Sequence, residues 1–127
     1  MRSTFLSVAF ALVFLLSACE QPAPDISGTW FGEASAIVDA EETTIEVEMD
    51  IEQTEADVSG NVYWGPIEAT ISSVEFDGPQ LVLVSEWPEG IITFRGLATD
   101  NTFKGRFIIR HEIDPHPFQG AIELTRE

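Results

Sequence analysis

Among 127 residues the chain has one cysteine, one tyrosine and six lysines and arginines together. A lone cysteine excludes an internal disulfide framework, so stability has to come from packing. The shortage of positive charge is also positional: between Ser3 and Phe94 there is no Lys or Arg at all. Against it stand 22 Asp and Glu, for a net charge of −16. Such a charge disfavours nucleic acid and anionic lipid surfaces, and no nucleic-acid partner is expected. Two uses of the acidity stay open: a solvated surface that keeps the domain soluble, or a face that attracts a cationic partner. The sequence also lacks a Gly-x-Ser-x-Gly turn, a phosphate-binding glycine loop and a histidine–carboxylate pair of known spacing. No catalytic residue and no cofactor is therefore expected, and the chain does not read as an enzyme.

What is present begins at the N-terminus. Arg2 precedes an apolar-dominated run from Phe5 to Leu16, too short for a stable membrane span and ending in small residues. It reads as a secretory signal over residues 1–18. The run Leu16-Ser17-Ala18-Cys19 resembles the bacterial lipobox. That resemblance implies that Cys19 is lipidated and becomes the first residue of the mature chain. Two or more lipid chains anchor stably, so the membrane is an expected partner through the lipid. Glu20 follows the cysteine, and the expected location is the outer membrane, facing the periplasm. Residues 19–25 form a linker with two prolines that reaches about 20 Å.

Residues 26–127 are expected to form one domain. Alternation dominates there. In Thr44–Gln53, Ile45, Val47, Met49 and Ile51 point one way while Glu46, Glu48, Asp50 and Glu52 point the other. Only a period of two sorts residues in that manner. Eight strands follow: Thr29–Val38, Thr43–Gln53, Asp57–Trp64, Ile67–Phe76, Gln80–Trp87, Ile91–Thr99, Thr102–Glu112 and Phe118–Arg126. Turn chemistry such as Gly65-Pro66 and Asp77-Gly78-Pro79 separates them. Short links predict antiparallel hairpins, and closure removes the exposed edges. The fold class is all-β, an eight-stranded antiparallel up-and-down barrel, with a two-sheet sandwich as the alternative.

Parity places Trp30, Gly32, Ala34, Ala36 and Val38 inward on the first strand, and Ile45, Val47, Met49 and Ile51 on the second. The third turns in Val58, Gly60, Val62 and Trp64. The seventh turns in Phe103, Gly105, Phe107, Ile109 and His111; the eighth turns in Phe118, Gly120, Ile122, Leu124 and Arg126. Parity is less clear for the fourth to sixth. Small inward residues leave two outcomes open, a filled core or a pocket. For a pocket, Ala34, Ala36, Val47, Met49, Val62 and Phe107 are the candidate contacts for a small apolar ligand.

Gly28-Thr29-Trp30 resembles the Gly-x-Trp start of the calycin barrels, which include lipocalins, fatty-acid-binding proteins and avidins. The resemblance implies that Trp30 packs inside one barrel end with a late basic residue, here Arg126, across it. In size and layout the chain is nearest the avidins. Gly32 and Ala36 stand where that family has an asparagine and a serine, so biotin binding is not expected.

Two further clusters stand out. His111, Asp114 and His116 carry groups that suit zinc or copper. Their spacing matches no metal signature, and Pro115 and Pro117 mark a polar hairpin, so no metal site is expected. The Glu46–Glu52 ladder spreads over about 20 Å, too far for one calcium ion. Lys104, Arg106 and Arg110 form a basic ladder of their own. The leading expectation is a membrane-anchored lipoprotein whose barrel holds a small apolar ligand. The alternatives are an acidic protein-interaction module, similar in size, charge and tethering to membrane-bound lysozyme inhibitors, and a passive envelope component.

Overall fold

The computed structural model describes residues 25–55 and 57–127. The signal segment, Cys19 and the linker up to residue 24 lie outside the described residues. Eight strands follow one another: β1 Gly28–Val38, β2 Glu41–Gln53, β3 Val58–Trp64, β4 Ile67–Asp77, β5 Gln80–Trp87, β6 Gly90–Ala98, β7 Thr102–His111 and β8 Phe118–Arg126. Each pairs antiparallel with the next, and β8 pairs back onto β1, closing the barrel. No strand end is displaced by more than two residues from the alternation pattern. The sandwich alternative does not form.

The inward parity holds over most of the chain. Trp30, Ala34, Ala36, Val47, Met49, Ile51, Val62, Trp64, Phe103, Phe107, Ile109, Ile122 and Leu124 are all buried. Two residues assigned inward are corrected. Val38 and His111 are exposed, because both sit at strand ends that project past the barrel rim. The middle strands turn in Ala69, Ile71, Leu81, Leu83, Ser85, Ile92 and Phe94. A bulge between Ile71 and Ser73 shifts the β4–β5 register. After it, Val74 and Phe76 are the residues packed on the core. The buried Ser85 hydroxyl donates to the Ile92 carbonyl at 3.2 Å, so its burial leaves no polar atom unpaired.

Small inward residues let the wall coil tightly instead of opening a pocket. Gly96 and Gly105 face each other across β6 and β7. A Cβ on either would come within 2.6 Å of the other's Cα. Large rings occupy the space gained. Trp64 lies 4.8 Å from Phe107 and 6.2 Å from Phe94, and Phe107 lies 5.7 Å from Phe118, all tilted. The Phe107 ring rests on Gly120, where a Cβ would come within 2.9 Å of it. The remaining interior cavity is about 10 Å³, lined by Ile26, Trp30, Met49, Phe94, Phe103 and other apolar residues. That is room for about one water.

Candidate functional site

Ala34, Ala36, Val47, Met49, Val62 and Phe107 belong to one continuous core. Of the six, only Met49 borders the small cavity. Drug-sized ligands occupy pockets of roughly 300–1,000 Å³, so an internal ligand would have to displace core side chains.

One barrel end is built as a latch. Trp30 is buried, and its indole N–H donates to the Ile26 carbonyl at 2.9 Å. The Arg126 guanidinium lies over the indole at 4.8 Å from the ring centroid. From there Nη1 donates to the Asp25 and Ser27 carbonyls at 2.8 and 2.9 Å. Nε and Nη2 donate to the Asp100 carbonyl in the β6–β7 turn. Gln53 adds two bonds, accepting from the Ile26 N–H at 2.8 Å and donating its own N–H to the Ser27 hydroxyl at 3.2 Å. These contacts hold Ile26 as a plug, 1% exposed, under the barrel. Gly28 makes room. Its φ is +124°, and a Cβ there would approach the Arg126 Cδ to 3.3 Å. Asp25 caps the same turn: the Ser27 N–H bonds its carboxylate at 2.9 Å and, with the Ser27 hydroxyl and Arg126, holds its pKa below the ordinary value. Sequence reading missed Ile26, an isolated apolar residue ahead of the first strand.

The outer wall carries most of the charge. Register aligns Glu123 on β8, Glu33 on β1 and Glu46 on β2 side by side. Directly opposed residues have Cβ atoms about 4.5–5.5 Å apart, so these carboxylates repel. The adjoining row is Phe31, Glu48, Tyr63 and Glu68 across β1 to β4. Phe31 is 45% exposed although it flanks a carboxylate ladder. A shallow groove runs over this face, lined by Thr29, Phe31, Glu33, Glu46, Glu48 and Tyr63 among others. In the ring of eight strands β2 stands opposite β6. Arg95 on β6 faces Arg106 on β7, with Lys104 and Arg110 on the same strand. Acidic and basic walls are thereby separated. Lys104 is the one cation that register brings beside the acidic row, opposite Glu123. Among the described residues, the one contact within 4 Å between a carboxylate and a basic side chain is His116–Asp114, at 3.5 Å and exposed.

The histidine cluster disperses. The Asp114 carboxylate accepts the His116 backbone N–H at 2.9 Å, which lowers the Asp114 pKa. The His111 ring meets Trp87 edge-on at 5.5 Å. Among the described residues, no three His, Cys, Asp or Glu side chains converge as a metal site would require. No family model matches the chain, and no curated protein matches it either.

Proposed function

We propose that this protein is a lipid-anchored envelope module that binds a cationic protein on its acidic wall. The observation that carries the reading is the pairing of a filled barrel with a carboxylate surface that register offsets with Lys104 alone. The interior offers about 10 Å³, while Glu33, Glu46, Glu48 and Glu123 stand in adjacent rows without an ion pair among the described residues. Like charges held side by side are unfavourable to the free protein. A bound cation relieves that repulsion. Phe31 and Tyr63 flank Glu48 across the strands and offer ring faces on which an arginine or lysine stem can lie. The alternative of a small apolar ligand rests on the barrel topology alone. The Cys19 lipidation rests on the Leu16-Ser17-Ala18-Cys19 run, and the outer-membrane placement on Glu20, which follows it.

The test uses full-length protein in mild detergent and lysozyme as the cationic probe. Saturable binding that weakens from low to physiological salt is expected, as is loss of affinity in Glu33→Gln/Glu46→Gln/Glu48→Gln. Arg95→Gln/Arg106→Gln should bind as well as wild type or better. If the triple variant retains full affinity, or binding ignores salt, the acidic wall is not the binding surface. A parallel titration with a fluorescent fatty acid reports on the interior, and saturable uptake there would restore the ligand reading. For the anchor, Cys19→Ser should move the protein from the membrane fraction to the soluble fraction. A wild-type protein already in the soluble fraction would exclude lipidation.

A further inference from the structure

The β1–β2 hairpin is longer than the wall beside it. β2 pairs with β1 from Ile51 back to Glu41, yet with β3 only from Gln53 back to Val47. The reason lies in Gly65-Pro66. Gly65 makes the last bond, donating to the Glu46 carbonyl at 3.4 Å. Pro66 has no N–H with which to continue. Glu41 to Thr44 therefore pair on one side alone and are exposed. The direction of the free groups follows from the turn. Asp39 and Ala40 form a two-residue loop with positive φ at both positions, in which the flanking Val38 and Glu41 exchange both hydrogen bonds. Odd-numbered β2 residues then address β1, and even-numbered ones point away. The Glu46 carbonyl bonding Gly65 agrees with this phase. The N–H and C=O of Glu42 and of Thr44 are thus a row of unpaired strand-edge groups at the top of the acidic wall.

We infer that this edge is a strand-addition site, and that its occupant is an extended segment of the cationic partner alternating Lys or Arg with apolar residues. The inference deepens the acidic-wall reading and rests on it. Charge complementarity selects the occupant. An added strand has one set of side chains on the outer face, beside Glu42, Thr44 and Glu46, and the other set beside Thr43 and Ile45. The outer set meets carboxylates and suits cations. The inner set meets a mixed rim, where Val38 is exposed opposite Glu41 and Ile45 packs on the core. Natural sheet edges are commonly blocked by lysine, proline or a bulge. This one carries only Glu41, Glu42 and two threonines. Acidic side chains oppose pairing with a second copy of net charge −16 and leave a cationic strand admissible.

The probe is a labelled octapeptide of alternating lysine and valine, titrated into full-length protein in mild detergent and read by anisotropy. The control has the same four lysines in scrambled order, with one central valine replaced by proline. The alternating peptide should bind about tenfold more tightly than the control. On binding, the amide exchange of Glu42 and Thr44 should slow selectively. Thr44→Pro removes an edge N–H, leaves the β1 ladder intact and keeps every carboxylate, so it should reduce affinity about tenfold without altering the melting profile. Equal affinity for both peptides, or unchanged exchange at Glu42 and Thr44, overturns strand addition even if Thr44→Pro folds poorly. If lysozyme still binds in a salt-dependent way under that outcome, the acidic wall stands and only the edge fails. If lysozyme fails as well, both readings fall.

Discussion

The Ile26 plug gives a sharp test of how the barrel end is held. Ile26 is 1% exposed, and truncating a buried isoleucine to alanine costs about 2–5 kcal/mol. Because Ile26 precedes the first strand, the lower part of that range applies, about 2–3 kcal/mol. Arg126→Met keeps the stem over Trp30 and removes the guanidinium. It forfeits bonds to three partly exposed carbonyls, at about 0.8 kcal/mol each, and a cation–π contact of about 0.5–1 kcal/mol. The expected loss is about 3 kcal/mol. Independent effects would add to about 5–6 kcal/mol. If Arg126 acts by clamping Asp25 and Ser27 around the plug, the plug is already loose in Arg126→Met, and Ile26→Ala then costs little more. The double variant should lie near 3–4 kcal/mol, a coupling of about 2 kcal/mol. Urea unfolding followed by tryptophan fluorescence measures each variant, with equal slopes required for the comparison. Additivity within about 0.5 kcal/mol would refute the clamp.

Ala40 has φ +69° in the β1–β2 turn, so Ala40→Gly should stabilise the protein by about 0.5–1 kcal/mol, seen as a higher midpoint in thermal melting. Gly105→Ala drives a Cβ to 2.1 Å from the Arg95 carbonyl oxygen; a loss of about 3 kcal/mol or more is expected in urea, and a folded, wild-type-like melt would contradict the coiled wall. The Asp25 carboxylate, held first by the Ser27 N–H, then by the Ser27 hydroxyl and Arg126 against a small burial penalty, should titrate by NMR below 3.8. A lowered folded pKa means that its stabilising contribution is present above the unfolded pKa and disappears as pH falls through the folded value. A midpoint at or above 3.8 would contradict the cap.

Strand number and boundaries were legible because β2 alternates from Thr44 to Glu52 and turn residues such as Gly65-Pro66 and Asp77-Gly78-Pro79 separate the strands. Trp30 and Arg126 share one parity and one barrel end, and the structure has them in contact. Parity was unreadable in the middle strands for two physical reasons. The bulge between Ile71 and Ser73 slips the phase, and the outward-facing Val82, Val84 and Ile91 are themselves apolar. Whether the interior was filled depended on cross-barrel partners, such as the Phe107 ring resting on Gly120. Alternation along one strand does not reveal such pairs. The carboxylate row was equally hidden. Glu33, Glu46 and Glu123 meet only through the register of three strands, two of them joined by ring closure. Ile26 lay beyond reach because its burial depends on Gln53 and Arg126, distant in sequence.

Seven of the eight strand pairings join neighbours through a turn, and the eighth joins β1 to β8. Local hairpins form in about 1–10 μs, whereas ring closure must wait for the last strand and carries the largest loop entropy. A chain emerging N-terminus first therefore holds an incomplete ladder whose β1 edge, Trp30 to Ser35, has no mate until residues 121–126 arrive. During that interval the nascent sheet is a template for wrong partners. Glu33 sits in the middle of the waiting edge, and the early strands carry no Lys or Arg. Copies caught at the same stage carry charge of one sign beside that edge and repel one another.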